Sequence, residues 1–155
     1  MRSVARPVAT GFAILFLSGC VSARAVQRSP WLDIGAKGND PPATWRDWQV
    51  VLYARSQVGK RYCWGGVGPS CFDCSGLVKE AWATMGVRLP HSSDAIPARL
   101  QEVPLPDVRP GDIFWWPGHL ALYAGAGWTI EALDARDGVV MRRARLPRRA
   151  FRPPG

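Results

Sequence analysis

The sequence DCSGLVKEAWATMG, residues 73–86, carries the clearest helical pattern in the chain. Large apolar side chains recur on one face between Leu77 and Met85, and a glycine that can end a helix closes the stretch. Asp73 can cap the first free N–H groups, so we expect a helix that begins at Cys74. A thiol in that first turn lies where the helix dipole stabilises a thiolate. From its position alone, Cys74 fits equally well as a small buried apolar residue.

One helix precedes this stretch and several strands follow it. The sequence TWRD at residues 44–47 resembles a helix-capping box, and it predicts a first helix from Trp45 to about Val58. After a proline-rich connector the pattern changes to alternation, which predicts short antiparallel strands at residues 112–116, 119–124, 128–133 and 139–145. Helices that come first and a sheet that comes second predict an α+β fold.

A histidine and a carboxylate lie on neighbouring predicted strands. A hairpin centred on Gly125 would place His119 opposite Glu131 on one face of the sheet. An imidazole held by a carboxylate can serve as the base for Cys74, and these are the three groups that a cysteine peptidase needs. The other histidine, His91, follows a proline in a loop-like stretch and is interpreted as a solvent-exposed or capping residue.

The chain has four cysteines, and their spacing leaves several functions open. Cys63 and Cys71 flank a glycine-rich segment that could fold back and join them in a disulfide, which would leave Cys74 as the free thiol. Cys71 and Cys74 also form a C-x-x-C pair, although a thioredoxin-like redox motif should follow a strand in a βαβ unit. Zinc binding by these cysteines and a histidine is a further alternative, but their spacing differs from that of structural zinc sites. We predict neither a metal nor another cofactor.

The N-terminus has the features of an export signal. Residues 1–20 begin with arginines, continue into a short apolar run and end in LSGC, which resembles the lipobox of bacterial lipoproteins, where the cysteine is diacylated. We therefore predict a lipoprotein signal that ends at Cys20, a flexible tether at residues 21–43 and one domain at residues 44–155. Because no aspartate follows Cys20 directly, the expected location is the periplasmic side of an outer membrane.

The formal charge at pH 7 is +8, since 20 Lys and Arg outnumber 12 Asp and Glu. Such a surface favours anionic partners, including lipid head groups and acidic polymers. No helix-turn-helix, zinc finger or RNA-binding aromatic motif accompanies the charge, so we expect no nucleic-acid partner. The arginines at residues 142–152 are interpreted as a solvated basic face.

Five motifs in sequence order resemble those of the NlpC-type cysteine peptidases. They are YCWGG at residues 62–66, FDCSGLV at 72–78, LP at 89–90, RPGD at 109–112 and GHLALYAG at 118–125. The likeness runs from about Thr44 to Met141. It implies a papain-like α+β fold with helices packed on an antiparallel sheet, and hydrolysis of peptidoglycan stem peptides between D-glutamate and the diamino acid.

The resemblance also assigns roles to single residues. It implies that Cys74 is the nucleophile and His119 the base. It also implies that Tyr62 places a hydroxyl near the oxyanion, while Asp73 and Ser75 help to hold a free amine of the substrate.

This sequence departs from the family pattern at three places. Glu131 stands where the family commonly has His, Asn or Gln, and a carboxylate there would make the imidazole more basic. The motif Leu-Pro-Arg ends in His91 here. Cys63 and Cys71 are not part of the usual motifs, which fits an added disulfide that braces the loop before the nucleophile.

Two other functions remain open from the sequence. One is a catalytically silent lipoprotein that uses the groove to bind wall fragments. The other is a thiol amidase or acyltransferase that acts on a substrate outside the cell wall.

Overall fold

Two helices pack on an antiparallel sheet in the computed structural model, which describes residues 43–154. Helix α1 spans Trp45–Ser56 and α2 spans Cys74–Ala83. The strands are β1 (Arg61–Tyr62), β2 (Cys71–Phe72), β3 (Gln101–Val103), β4 (Ile113–Trp116), β5 (His119–Gly125), β6 (Trp128–Ala132), β7 (Val139–Arg143) and β8 (Arg149–Arg152). The main sheet has the order β3-β8-β4-β5-β6-β7, and β1 pairs with β2 separately. The predicted α+β fold is confirmed.

Both helices begin where the sequence predicts and end earlier. A capping box fixes the start of α1: the Thr44 hydroxyl accepts from the Asp47 N–H, and the Asp47 carboxylate accepts from the Thr44 N–H. Helix α1 ends at Ser56, and Gln57 forms its C-cap. The predicted helix, which ran to about Val58, was therefore about two residues too long. Helix α2 ends at Ala83, and the chain then turns through Gly86 at φ +78°.

Two strands of the main sheet, β3 and β8, were missing from the sequence prediction. Strand β8 was assigned to the solvated basic face, but Ala150 and Phe151 are buried in its middle. Its flanking arginines form ion pairs, Arg149 with Glu102 and Arg152 with Asp112. The arginine-rich composition therefore conceals a strand that lies between β3 and β4.

The hairpin between β5 and β6 has a different register from the predicted one. Leu122 pairs with Ile130, and a bulge follows between Tyr123 and Gly125. When the same pairing continues along the two strands, Glu131 lies opposite Ala121 and not opposite His119. The error is a shift by two residues along β5, and such a shift keeps a side chain on the same face of the sheet.

The sheet has a hydrophobic cluster on each face. Leu120, Leu122 and Ile130 point toward the helices and pack against a cluster that contains Leu77 and Trp82 of α2. On the other face, Phe114 of β4 and Ala121 and Tyr123 of β5 belong to a second hydrophobic cluster. The other buried members of this cluster are Val103, Val108, Ala144 and Ala150. This alternation fixes which face of β5 each side chain occupies.

The signal at residues 1–20, the lipid-bearing Cys20 and almost all of the tether at residues 21–43 lie outside the described residues. Within residues 43–154, no helix has the length and apolar character needed to cross a bilayer.

A substitution at Gly76 tests how closely α2 packs on the loop before it. A side-chain carbon at this position would overlap the backbone carbonyl of Gly66, which also accepts a hydrogen bond from the Asp73 N–H at 2.9 Å. Because backbone cannot easily move aside, we expect Gly76→Ala to lower the free energy of unfolding by about 3 kcal/mol. Chemical denaturation monitored by circular dichroism measures the change.

Gly59→Asn is the matched control. Gly59 has φ +88° and open space around it, so the substitution costs only the left-handed backbone penalty of about 1 kcal/mol. Equal destabilisation by the two variants would contradict the close approach at Gly76.

Candidate active site

Cys74 is the first residue of α2. The Asp73 side chain caps this end, because its Oδ1 accepts a hydrogen bond from the Gly76 N–H at 2.6 Å. Helix geometry leaves the N–H groups of Cys74 and Ser75 without acceptors inside the helix. The Cys74 sulfur therefore lies at a helix end that carries partial positive charge and free donors.

The Asp73 carboxylate joins several segments at this point. Besides the helix cap, its Oδ1 accepts from the Ser75 hydroxyl at 2.9 Å. Its Oδ2 accepts from the Gly65 N–H at 2.9 Å and from His91 Nε2 at 2.8 Å. Asp73 and Ser75, both predicted to hold the substrate, are thus in direct contact with each other beside Cys74.

The sequence interpretation of His91 is incomplete. The residue lies in a loop and is exposed, as predicted, but its imidazole also contacts the buried carboxylate next to the candidate nucleophile, and the side chain alone is 29% exposed. Nothing in the local periodicity indicates this contact. The one available signal is its place as the third residue of the motif that is Leu-Pro-Arg in the resembling family.

The loop before α2 is closed by a disulfide between Cys63 and Cys71. The Gly66 N–H donates to the Cys63 carbonyl and the Gly68 N–H to the Cys71 carbonyl, so the enclosed turn is also held by backbone hydrogen bonds. Cys74 is the free cysteine of the described residues. No cluster of ligand-type side chains suited to a metal ion occurs within residues 43–154.

The first residue of β5, His119, is held by a carboxylate on β6. Its Nε2–H donates to Glu131 Oε2 at 2.6 Å, although the two residues are diagonal neighbours and not opposite each other. Glu131 is 1% exposed. The structure therefore brings His119 and Glu131 together through a register that the sequence did not predict.

Three polar neighbours surround the buried Glu131 carboxylate. Thr129 Oγ1 lies 3.3 Å from its Oε1, Arg145 Nη2 lies 3.5 Å from its Oε2, and Arg142 Nε lies 4.0 Å from its Oε1. Burial favours the neutral carboxyl group, but the hydrogen bond from His119 and the nearby arginines outweigh it and lower the pKa of Glu131. The carboxylate is accordingly ionised beside the imidazole.

The His119 imidazole faces opposing influences. Burial disfavours its charged form, but hydrogen bonds to Cys74 and Glu131 and their negative charges outweigh burial and raise the pKa of His119 to about 9. Since Nε2 bonds Glu131, the interaction with the sulfur falls to Nδ1. Near neutral pH this arrangement favours an imidazolium that lies between the Glu131 carboxylate and the Cys74 sulfur.

Tyr62 lies near the same sulfur. Burial raises the pKa of the Tyr62 hydroxyl, and negative charge at Cys74 and Asp73 raises it further. The hydroxyl is therefore neutral at physiological pH and remains a hydrogen-bond donor.

Two site neighbours were missed by sequence reasoning. Trp116 pairs with His119 across the β4–β5 hairpin, and the centroids of their rings are 5.9 Å apart. The Arg145 guanidinium lies 4.8 Å from the centroid of the Trp116 ring and also approaches Glu131. Trp116 could have been found from the hairpin register, whereas Arg145 lies beyond the end of β7 and carries no sequence signal.

The sequence around this site matches a known protein family. Residues 59–148 match the model of the NlpC/P60 family. The chain belongs to the NlpC/P60 family. The family expected from the five motifs is thereby confirmed, and the match includes Cys74, His119 and Glu131.

Curated relatives of this NlpC/P60 chain are named as probable endopeptidases. One from Mycobacterium tuberculosis is 43% identical over 86 residues, which are 54% of this chain and 22% of the relative. Probable endopeptidase p60 of Listeria monocytogenes is 36% identical over 90 residues, 55% of this chain and 19% of the relative. The chain thus spans about a fifth of the length of these two relatives.

Solved structures share the NlpC/P60 fold. The peptidoglycan hydrolase RipB of Mycobacterium tuberculosis is 34% identical with a TM-score of 0.62, and the match covers 69% of this chain and 64% of that one. The NlpC/p60 domain of the peptidoglycan hydrolase SagA is 25% identical with a TM-score of 0.64, and the match covers 68% of this chain and 97% of that one.

The contact between His91 and Asp73 can be measured through stability. A hydrogen bond to a charged group contributes about 1.5–3 kcal/mol, and His91 is partly exposed, so we expect His91→Ala to cost about 1.5 kcal/mol. Ser93→Ala in the same loop should change the free energy of unfolding by less than about 0.5 kcal/mol. If both variants match the unmodified protein, His91 does not support Asp73.

Proposed function

We propose that this NlpC/P60 protein is a cysteine endopeptidase that hydrolyses peptidoglycan stem peptides. One observation carries the proposal: Cys74 begins α2 next to His119, whose raised pKa of about 9 reflects its interactions with Cys74 and Glu131. A thiolate and an imidazolium held together in this way are the reactive pair of a cysteine peptidase.

In the first half of the reaction, the Cys74 thiolate attacks the carbonyl carbon of the amide. A carbon–sulfur bond forms, and the carbonyl electron pair moves to oxygen. When the tetrahedral intermediate collapses, the carbon–nitrogen bond breaks and the His119 imidazolium gives its proton to the leaving amine. The product is a thioester on Cys74 and a neutral imidazole on His119.

The second half restores the resting pair. The neutral His119 takes a proton from water as the water oxygen attacks the thioester carbonyl. The carbon–sulfur bond then breaks, which releases the carboxylic acid and returns the thiolate beside an imidazolium. Throughout the cycle, Glu131 fixes the orientation of the ring and stabilises its positive form.

Two hydrogen-bond donors support an oxyanion site beside Cys74. The backbone N–H of Cys74 has no acceptor inside α2, and the hydroxyl of Tyr62 stays protonated because burial and negative charge raise its pKa. Donors that are fixed before the reaction stabilise the developing charge without reorganising. We assign both groups to the oxyanion site.

The substrate class follows from the relatives and from the chemistry beside Cys74. RipB and SagA are peptidoglycan hydrolases, and the resemblance to NlpC-type enzymes points to the bond between D-glutamate and the diamino acid. We assign Asp73 and Ser75 to the recognition of a free amine, which the Asp73 carboxylate would attract. The predicted lipid on Cys20 would hold the enzyme at a bacterial membrane, facing the wall.

Digestion of purified peptidoglycan tests the proposal. The unmodified protein should release fragments with new D-glutamyl carboxyl ends, identified by mass spectrometry, and Cys74→Ala should release none because the nucleophile is lost. Cys74→Ala should keep the circular dichroism spectrum of the unmodified protein.

The other outcomes separate the alternatives. Binding of fragments without cleavage would support a catalytically silent lipoprotein. If peptidoglycan is not cleaved but unrelated amides or esters are turned over, and this turnover depends on Cys74, the result would support a thiol amidase or acyltransferase. Unchanged digestion by Cys74→Ala would refute the mechanism.

Glu131→Gln tests the role of the carboxylate through pH. The imidazolium is lost as pH rises past about 9, so kcat/KM of the unmodified enzyme should fall on the alkaline side near that value. The glutamine keeps the size of the side chain but removes the negative charge, so the alkaline limb should move to lower pH. An alkaline limb at the same pH in both enzymes would contradict the assigned role of Glu131.

A further inference from the structure

Helix α1 exposes an apolar stripe that its packing does not require. Trp45, Trp48 and Leu52 are 69%, 46% and 54% exposed and lie on one face of the helix. The core face of the same helix is formed by other residues, including Val50 and Ala54. Single exposed apolar residues are common, but a contiguous group of large ones marks an interaction surface.

The stripe continues onto the β5–β6 hairpin. Trp48 and Trp128 line one open cavity of about 520 Å³, together with Pro110, Met141 and small residues of the hairpin turn. We call Trp45, Trp48, Leu52 and Trp128 the aromatic face. Two separate elements of the fold therefore supply one apolar surface.

The charges beside the aromatic face are positive. The Arg143 guanidinium lies 4.6 Å from the centroid of the Trp128 ring, and Arg55 is exposed one helical turn after Leu52. Among the described residues that line the cavity, none is acidic. The whole chain carries a net charge of +8, which favours an anionic partner.

The aromatic face lies where the preceding chain enters the domain. Ala43, the first described residue, lines the cavity, and Trp45 begins α1 directly afterwards. The predicted lipid attachment residue, Cys20, precedes this point in the chain. Helix α1 also lies before residues 59–148, so the stripe is outside the segment that matches the family model.

The aromatic face and the candidate active site lie at opposite ends of β5. His119 is the first residue of this strand and Gly125, which lines the cavity, is the last. A strand of this length places its ends roughly 20 Å apart. A surface that contacts the aromatic face would leave the Cys74 cleft accessible from the other end.

We propose that the aromatic face binds the surface of an anionic phospholipid bilayer. Indole rings partition to the level of the lipid head groups, and arginines beside them pair with phosphates. The two acyl chains predicted on Cys20 would hold the protein at a membrane, but they would not orient the domain, which follows a tether. The aromatic face orients the cleft away from the bilayer, whatever reaction the cleft performs.

Vesicle binding by residues 43–155 tests this proposal without the predicted lipid. Both hydrophobic clusters lie within residues 43–154, and the isolated SagA domain, 97% of which is matched, shows that a related domain folds alone. Co-sedimentation should show binding to phosphatidylglycerol-containing vesicles, little binding to pure phosphatidylcholine and weaker binding at high salt.

Matched tryptophan variants locate the contact. Trp45→Ser with Trp48→Ser should weaken binding to anionic vesicles at least roughly tenfold, and Trp45→Ser alone should have an intermediate effect. Trp64→Ser is the control, because Trp64 is 92% exposed but lies in the loop closed by the disulfide and outside the aromatic face. Thermal unfolding of each variant shows whether the fold is kept.

Three results would overturn the proposal. In the first, the unmodified domain does not sediment with anionic vesicles. In the second, Trp64→Ser weakens vesicle binding as much as the double variant does. In the third, the Trp45 single variant and the double variant both bind vesicles as well as the unmodified domain. A domain that forms dimers through this face and ignores vesicles would assign the surface to a second copy instead.

Discussion

The Asp73 carboxylate is the point on which the geometry of the site depends. It caps α2 through Gly76 and accepts from the Ser75 hydroxyl. It also accepts from Gly65 in the preceding loop and from His91 in the following one. Each of these hydrogen bonds restrains the residue directly before Cys74. Since a charge-assisted hydrogen bond is short and directional, four of them on one carboxylate hold the sulfur in a fixed position.

The sheet supplies the other half of the site. Helix α2 packs on β5, and the imidazole at the start of the strand hydrogen-bonds the Cys74 sulfur at the start of the helix. Glu131 is buried deeply enough that its charge would be costly alone, and the imidazolium and Arg145 offset that cost. Protonated His119 is therefore the counter-ion that keeps the carboxylate ionised, and in the proposed mechanism it is also the proton donor.

Much of this arrangement could be predicted from the sequence because it rests on local patterns. A capping residue and a stripe of apolar side chains placed Cys74 at a helix start, and alternation placed His119 and Glu131 on neighbouring strands. The hairpin register was wrong by two residues because the turn lies between Gly125 and Trp128 and not at Gly125 itself, and the bulge before the turn then shifts the pairing by one. The resulting even shift preserved the face.

The parts that could not be predicted depend on distant contacts. Strand β8 is recognisable only once Glu102 and Asp112 are available to pair with its arginines. His91 shows no local pattern, and its contact with Asp73 arises from the path of a loop between elements far apart in sequence. Tertiary ion pairs of this kind are invisible to periodicity, which reports only the local chain.

The central claim is that the resting protein holds a proton on His119 because the imidazole lies between Cys74 and the Glu131 carboxylate. The chain has two histidines, so a His91→Gln variant leaves one imidazole to follow by NMR. We predict that His119 titrates with a pKa of about 9, and that the value falls clearly when Cys74→Ala is added. A pKa of about 6.5 or lower with Cys74 intact would contradict the account, since it would show an ordinary buried imidazole with no partner at the thiol.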